Sequence, residues 1–223
     1  TEVCVHHLHF TSDDYARLGN QVKCNPAIKA PHNKEALWKA LLDDRLDVIA
    51  TDHAPHTREE KNEPYEKAHA GLPLVQHSLL LMLHYYKQGR ISVEKIAEKM
   101  SHAVADCFQV KERGYIREGY HADLVIADLN ERYTVSKENI LYKCGWSPLE
   151  GFEFPAKVTL IENIHKCILH NLAVPAQKIT QKQQAAIVAF FGVKLRGKYI
   201  VFTHHTGEFM RIFAAAQHNF GRG

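Results

Sequence analysis

The chain contains no Cys-x-x-Cys pair: its five cysteines, Cys4, Cys24, Cys107, Cys144 and Cys167, are odd in number and widely spaced. That excludes a cysteine zinc knuckle and gives no sign of a disulfide framework, so reduced thiols and a cytoplasmic setting are expected. No apolar run approaches the roughly 20 residues that a membrane span needs. The longest, Leu79-Leu80-Leu81-Met82-Leu83, is bracketed by His77 and His84. Gly-x-Gly-x-x-Gly and the P-loop pattern are both missing, which removes the commonest phosphate cradles. There is no internal repeat, and aspartate does not occur after Asp128.

The remaining composition is that of a globular protein, with 45% hydrophobic residues and a formal charge of +3 over 223 residues. The charge is unevenly placed. Residues 1–158 carry 20 Lys plus Arg against 23 Asp plus Glu, whereas residues 159–223 carry 8 against 2. This break marks a boundary near Val158-Thr159. The basic residues beyond it are scattered rather than clustered, which argues against nucleic-acid recognition. Residue 1 is Thr, and Glu2-Val3-Cys4-Val5-His6 has the character of a strand interior, so the chain is expected to start within a domain.

Val3, Val5, Leu8 and Phe10 predict a strand from Glu2 to His9. Asn33 is a plausible N-cap for a helix over Lys34–Asp44, with Leu37, Trp38, Leu41 and Leu42 on one face. Val48-Ile49-Ala50 follows as a short buried strand. A charged connection over Arg58–Lys67 precedes a helix predicted for Leu74–Lys87, and Ser92 caps another over Val93–Met100. A late strand is expected at Ala122–Ala127. The alternation is α/β, with a small β element added at the end.

The most informative feature is Ile49-Ala50-Thr51-Asp52-His53-Ala54-Pro55-His56, where a buried strand ends in an acid, two histidines and a proline. Strand ends at the C-terminal rim are where α/β barrels assemble chemistry. A carboxylate there can bind a divalent metal or manage a proton, and histidines supply neutral ligands or substrate hydrogen bonds. A plain capped turn, in which Asp52 accepts backbone N–H groups, stays open on the pattern alone. Pro55 between His53 and His56 disfavours a helical histidine pair. His77 and His84 share a helix face and fit core or interface positions better than a ligand pair; a metal role for His204-His205 has no support.

Six segments together resemble the dihydroorotases of the amidohydrolase superfamily: Glu2-Val3-Cys4-Val5-His6-His7-Leu8, Lys23-Cys24-Asn25-Pro26-Ala27-Ile28-Lys29, the Asp52 element, Gly71-Leu72-Pro73-Leu74, Glu118-Gly119-Tyr120-His121-Ala122-Asp123-Leu124-Val125 and Cys144-Gly145-Trp146-Ser147-Pro148-Leu149-Glu150-Gly151. The resemblance covers about residues 1–158. It implies the C-terminal portion of a TIM barrel with part of a small accessory β domain: residues 1–110 the barrel part, 111–158 the accessory segment and 159–223 an unmatched basic tail. It implies zinc, binuclear in the family, and reversible hydrolysis of dihydroorotate to N-carbamoyl-aspartate in pyrimidine synthesis. Asp52 is then metal ligand and acid/base; Asn25, His56, Ala70 and Gly71 contact substrate. His6 and His7 lie outside the family's metal shell and are expected to pack.

The departures are equally specific. The family's other metal ligands precede the position of Glu2, so Asp52 is the sole ligand expected here, and a closed barrel of roughly 250 residues is not attainable. The barrel is expected to be incomplete and the polypeptide inactive by itself, with unpartnered apolar faces that leave a homo-oligomer open. His69 stands where proline is usual, and Ala103-Val104 replaces a common Asn-Pro. From Thr159 the family pattern is lost, which suggests a reading-frame change or an unrelated extension. Two rivals remain: a catalytically dead module that docks onto another pathway enzyme, and a hydantoinase or allantoinase of the same superfamily.

Overall fold

The computed structural model describes residues 1–164, 187–191, 193–195 and 198–200. The expectations for His204-His205, and for most of the tail that follows Thr159, lie outside the described residues. The chain mixes helix and strand and divides into two compact units, Thr1–His84 with Tyr133–Phe154, and Tyr85–Arg132 with Pro155–Gly223.

The first unit is built on two parallel strands, β1 (Glu2–Cys4) and β2 (Val48–Ala50), in register from Glu2 opposite Val48 to Cys4 opposite Ala50. Parallel neighbours need a long crossover. The crossover here holds α1 (Val5–His9), a short α2 (Tyr15–Leu18) and α3 (Pro31–Leu42). The predicted strand over Glu2–His9 is therefore corrected: β1 stops at Cys4. Val5 and Leu8, three apart, are both fully buried, and that is the helical spacing. The indole of Trp38 on α3 is buried and donates to the carbonyl of Leu8 at 2.9 Å, which locks α3 over the end of α1.

Helix α3 also starts earlier than expected. Its N-cap is Ala30, with Pro31 in the first turn, where a missing N–H costs nothing. Asn33 thus sits inside the first turn rather than capping it. The charged stretch after β2 contains α4 (Arg58–Asn62), opened by a capping box in which Thr57 and Glu60 satisfy each other's backbone N–H groups. Helix α5 (Ser78–Lys87) begins four residues later than the pattern suggested, after a turn at Val75–His77. The strands β4 (Tyr133–Thr134) and β5 (Glu153–Phe154) pair antiparallel.

In the second unit, Ser92 caps α6 (Val93–Ala97) by accepting the N–H of Lys95 at 3.1 Å. The helical path continues through a π turn at Glu98–His102 into α7 (Ala103–Cys107). Gly114 packs on this run: a Cβ there would lie 2.4 Å from the Cβ of Ala105, and its φ is 81°. Strand β3 (Ala122–Asp128) runs antiparallel between β6 (Lys157–Ile164) and β7 (Ile187–Phe191). Strands β8 (Val193–Leu195) and β9 (Lys198–Ile200) form a separate pair.

Candidate functional site

Asp52 lies two residues past the end of β2, with a left-handed φ of 43°, and is exposed. Among the described residues its carboxylate accepts no backbone N–H, so the plain capped turn is not what holds it. Cys4 ends the neighbouring strand at the same rim. Burial pushes the Cys4 thiol up to about 12, with the charges of Glu2 and Asp52 adding to the effect. The Cys24 thiol is raised to about 11, again by burial first, and Asp52 contributes.

His53 is spent on structure. Its Nδ1 accepts the N–H groups of Leu74 at 3.1 Å and Val75 at 3.4 Å, and its backbone bridges to Leu72. The expected substrate contacts fall on two loops that are stitched together. The carbonyl of Lys23, two residues before Asn25, accepts the N–H of Gly71 at 2.9 Å. His56 Nε2 donates to the carbonyl of Ala70 at 3.1 Å. Gly71 has a φ of 139°, and a Cβ there would meet the Cβ of Ala54 at 2.4 Å and His56 Cδ2 at 3.2 Å, so only glycine allows the approach. Asn25 is exposed, ahead of a cis bond to Pro26, whose carbonyl accepts from His7 Nε2 at 2.8 Å. The fold thus joins His56, Ala70 and Gly71 directly and brings the Asn25 loop to them. No hydrogen bond or ion pair joins Asp52 to Asn25 or His56 among the described residues.

The hub of this arrangement is Lys61, which sequence reasoning left inside a charged connection. Its ammonium is buried and donates to three carbonyls, Lys23 at 3.1 Å, His69 at 2.9 Å and Gly71 at 2.9 Å. Burial lowers its pKa to about 8. A lysine among charged neighbours carries no local signal of such a role; only the meeting of distant loops creates it. Trp146 was likewise missed as a contact: its indole donates to the carbonyl of His56 at 2.8 Å, and Arg58 lies over its ring at 5.3 Å.

Among the described residues, two groups of side chains are spaced to hold a metal ion, Cys4 with His6 and His7, and His56 with Glu60 and His69. His6 is buried with neither ring nitrogen partnered, and burial lowers its pKa to about 3, so it is neutral. His77 is a core residue. Its Nδ1 meets the hydroxyl of Tyr142 at 3.1 Å, and burial lowers its pKa to about 4.

Residues 1–164 match the model of the Amidohydrolase family. The chain belongs to that family. Among curated relatives of this amidohydrolase, the dihydroorotase of Halobacterium salinarum is 37% identical over 162 residues, which is 72% of this chain and 38% of the relative. An allantoinase of Desulfitobacterium hafniense is 33% identical over 159 residues, 71% of this chain and 35% of the relative. The L-hydantoinase of Arthrobacter aurescens shares the fold with a TM-score of 0.68 at 27% identity, over 73% of this chain and 37% of that one. The amidohydrolase chain therefore spans under two fifths of the length of these relatives. No helix among its described residues is long and apolar enough to cross a membrane.

Proposed function

We propose that this amidohydrolase contributes the C-terminal portion of a dihydroorotase, which hydrolyses a cyclic amide reversibly between dihydroorotate and N-carbamoyl-aspartate. The observation that carries this reading is the 37% identity to a dihydroorotase over 162 residues, in a chain whose family match over residues 1–164 includes Asp52 and both stitched loops. On the same reading, residues 1–110 supply barrel strands and helices, 111–158 belong to an accessory β segment, and the barrel is left incomplete.

Zinc fits the donor at hand. Asp52 presents an exposed carboxylate with no internal backbone partner, at the rim where such a ligand is needed. A zinc site takes three or four protein ligands, so on this reading Asp52 would be one member of a set whose other ligands lie outside these residues. Asp52 and the ligands that complete the set would hold the ion, which when bound would supply Lewis acidity to the attacking water. Asp52 then takes the proton from the attacking water and delivers it to the ring nitrogen as the C–N bond breaks. Asn25 and His56 orient the substrate's carboxylate and ring polar atoms. The backbone N–H of Ala70, which makes no backbone hydrogen bond among the described residues, is the donor the loop offers to the ring.

The rival reading is a hydantoinase- or allantoinase-type hydrolase, and the allantoinase at 33% identity stands beside it as a related family member. The test is a chimera in which the upstream part of the Halobacterium salinarum dihydroorotase precedes this chain. Zinc-dependent turnover of dihydroorotate is expected, falling roughly 100- to 10,000-fold in Asp52→Ala, the range for loss of an acid/base group. Turnover of allantoin or hydantoin alone would reject the substrate, and activity that survives Asp52→Ala would reject the role.

A further inference from the structure

We propose that His56, Glu60 and His69 form a second metal site, separate from Asp52, that takes a zinc-class dication from solvent and, when filled, withholds His56 from substrate. The last clause rests on the substrate role proposed above for His56; the site itself does not.

One ligand atom from each of the three residues lies within 4.8 Å of the other two. His56 Nδ1 and Glu60 Oε2 are 3.5 Å apart. Two ligands of a tetrahedral zinc, with bonds of about 2.0–2.2 Å, stand roughly 3.3–3.6 Å apart. The tautomer of His56 sharpens the case. The Ala70 carbonyl can only accept, so Nε2 carries a proton, and Nδ1 is the ring atom turned toward the Glu60 carboxylate. A cation held between this nitrogen and this oxygen satisfies both, and a proton and a metal ion compete for the place. An outward N–H bonded to a backbone carbonyl is also the usual support of a ligating histidine.

The other two ligands are preset. Glu60 Oε2 is fixed by the Thr57 N–H at 2.8 Å. The N–H of His69 is tied to the Glu60 carbonyl at 3.3 Å, so the third ligand comes from a loop pinned to the same turn. The rings of His56 and His69 are 4.8 Å apart, and His69 is exposed, which gives an ion an entry path. Two imidazoles and a carboxylate are a zinc donor set that keeps a position open, and nickel and copper share the preference.

The test is titration of the full 223-residue chain with Zn²⁺ against a chromophoric chelator, with circular dichroism alongside. The expected result is a site weakened at least tenfold by His69→Ala and by Glu60→Gln and unchanged by Cys4→Ser. His69 is exposed and glutamine preserves the capping box, so neither change threatens the fold. No zinc bound, an affinity indifferent to both substitutions, or a loss in Cys4→Ser instead would each overturn the site. In the chimera, excess Zn²⁺ inhibits whichever cyclic amide is hydrolysed, and His69→Ala raises the inhibitory concentration at least tenfold. Because binding is read directly, rejection of dihydroorotate as substrate leaves the zinc result standing, and the reverse holds too.

Discussion

At the scale of single residues, the site depends on groups whose roles are set by tertiary contacts. Lys61 shows this most sharply, because one ammonium closes three carbonyls from two loops. A methionine of similar length would fill the space and satisfy none of them. Each buried acceptor left unmade costs about 1–3 kcal/mol, although the Lys23 carbonyl keeps its bond from Gly71. Lys61→Met is therefore expected to lose about 3 kcal/mol or more in urea denaturation and to expose the 69–71 loop to proteolysis. A variant as stable and as resistant as the parent would show that the three bonds are incidental. The place of Asp52 just past β2, by contrast, was legible from sequence, because the apolar run that makes the strand ends next to it, and its chemistry remains a proposal. Lys61 and Trp146 were not, since their partners lie elsewhere in the chain.

The elements were legible where local rules act alone. Ser92 caps α6 as its position before the apolar period suggested, and β2 and β3 fall where the apolar runs lie. Asn33 failed as a cap because Pro31 fits the first turn of a helix and moves the start upstream. Glu2–His9 failed because Val3 and Val5 satisfy a strand period while Val5 and Leu8 satisfy a helical one, and packing under Trp38 selects the second. The caps give a paired prediction. Ser92→Ala removes a real cap bond and should cost about 1 kcal/mol. Asn33→Ala removes a side chain that caps nothing and should stay within about 0.5 kcal/mol of the parent. Equal losses in the two denaturation curves would mean that the helix starts are misassigned.

At the scale of the whole molecule, the family was legible because several separated segments agree in order and spacing, and the match runs to Ile164, past the end expected near Val158. The chain spans 38% of the dihydroorotase it matches, and on the proposed reading Asp52 would be one ligand of a zinc site that takes three or four. The 223-residue polypeptide on its own is thus expected to show no dihydroorotate turnover with zinc supplied, and measurable turnover would demand another ligand set. Its stability should also be sensitive to acid. His6 and His77 ordinarily titrate near 6.5, but burial holds them neutral down to about 3 and about 4. Below pH 6.5 the unfolded chain takes up protons that the folded chain refuses. The stability these residues allow is therefore complete above about pH 6.5 and declines as pH falls toward 4 for His77 and toward 3 for His6. Each contributes up to about 1.4 kcal/mol per pH unit across its window. His77→Leu removes one of the two groups, so the slope of urea midpoint against pH between 6 and 4.5 should flatten by about half of their joint contribution. A slope identical to that of the parent would mean that His77 accepts its proton without unfolding the core around Tyr142.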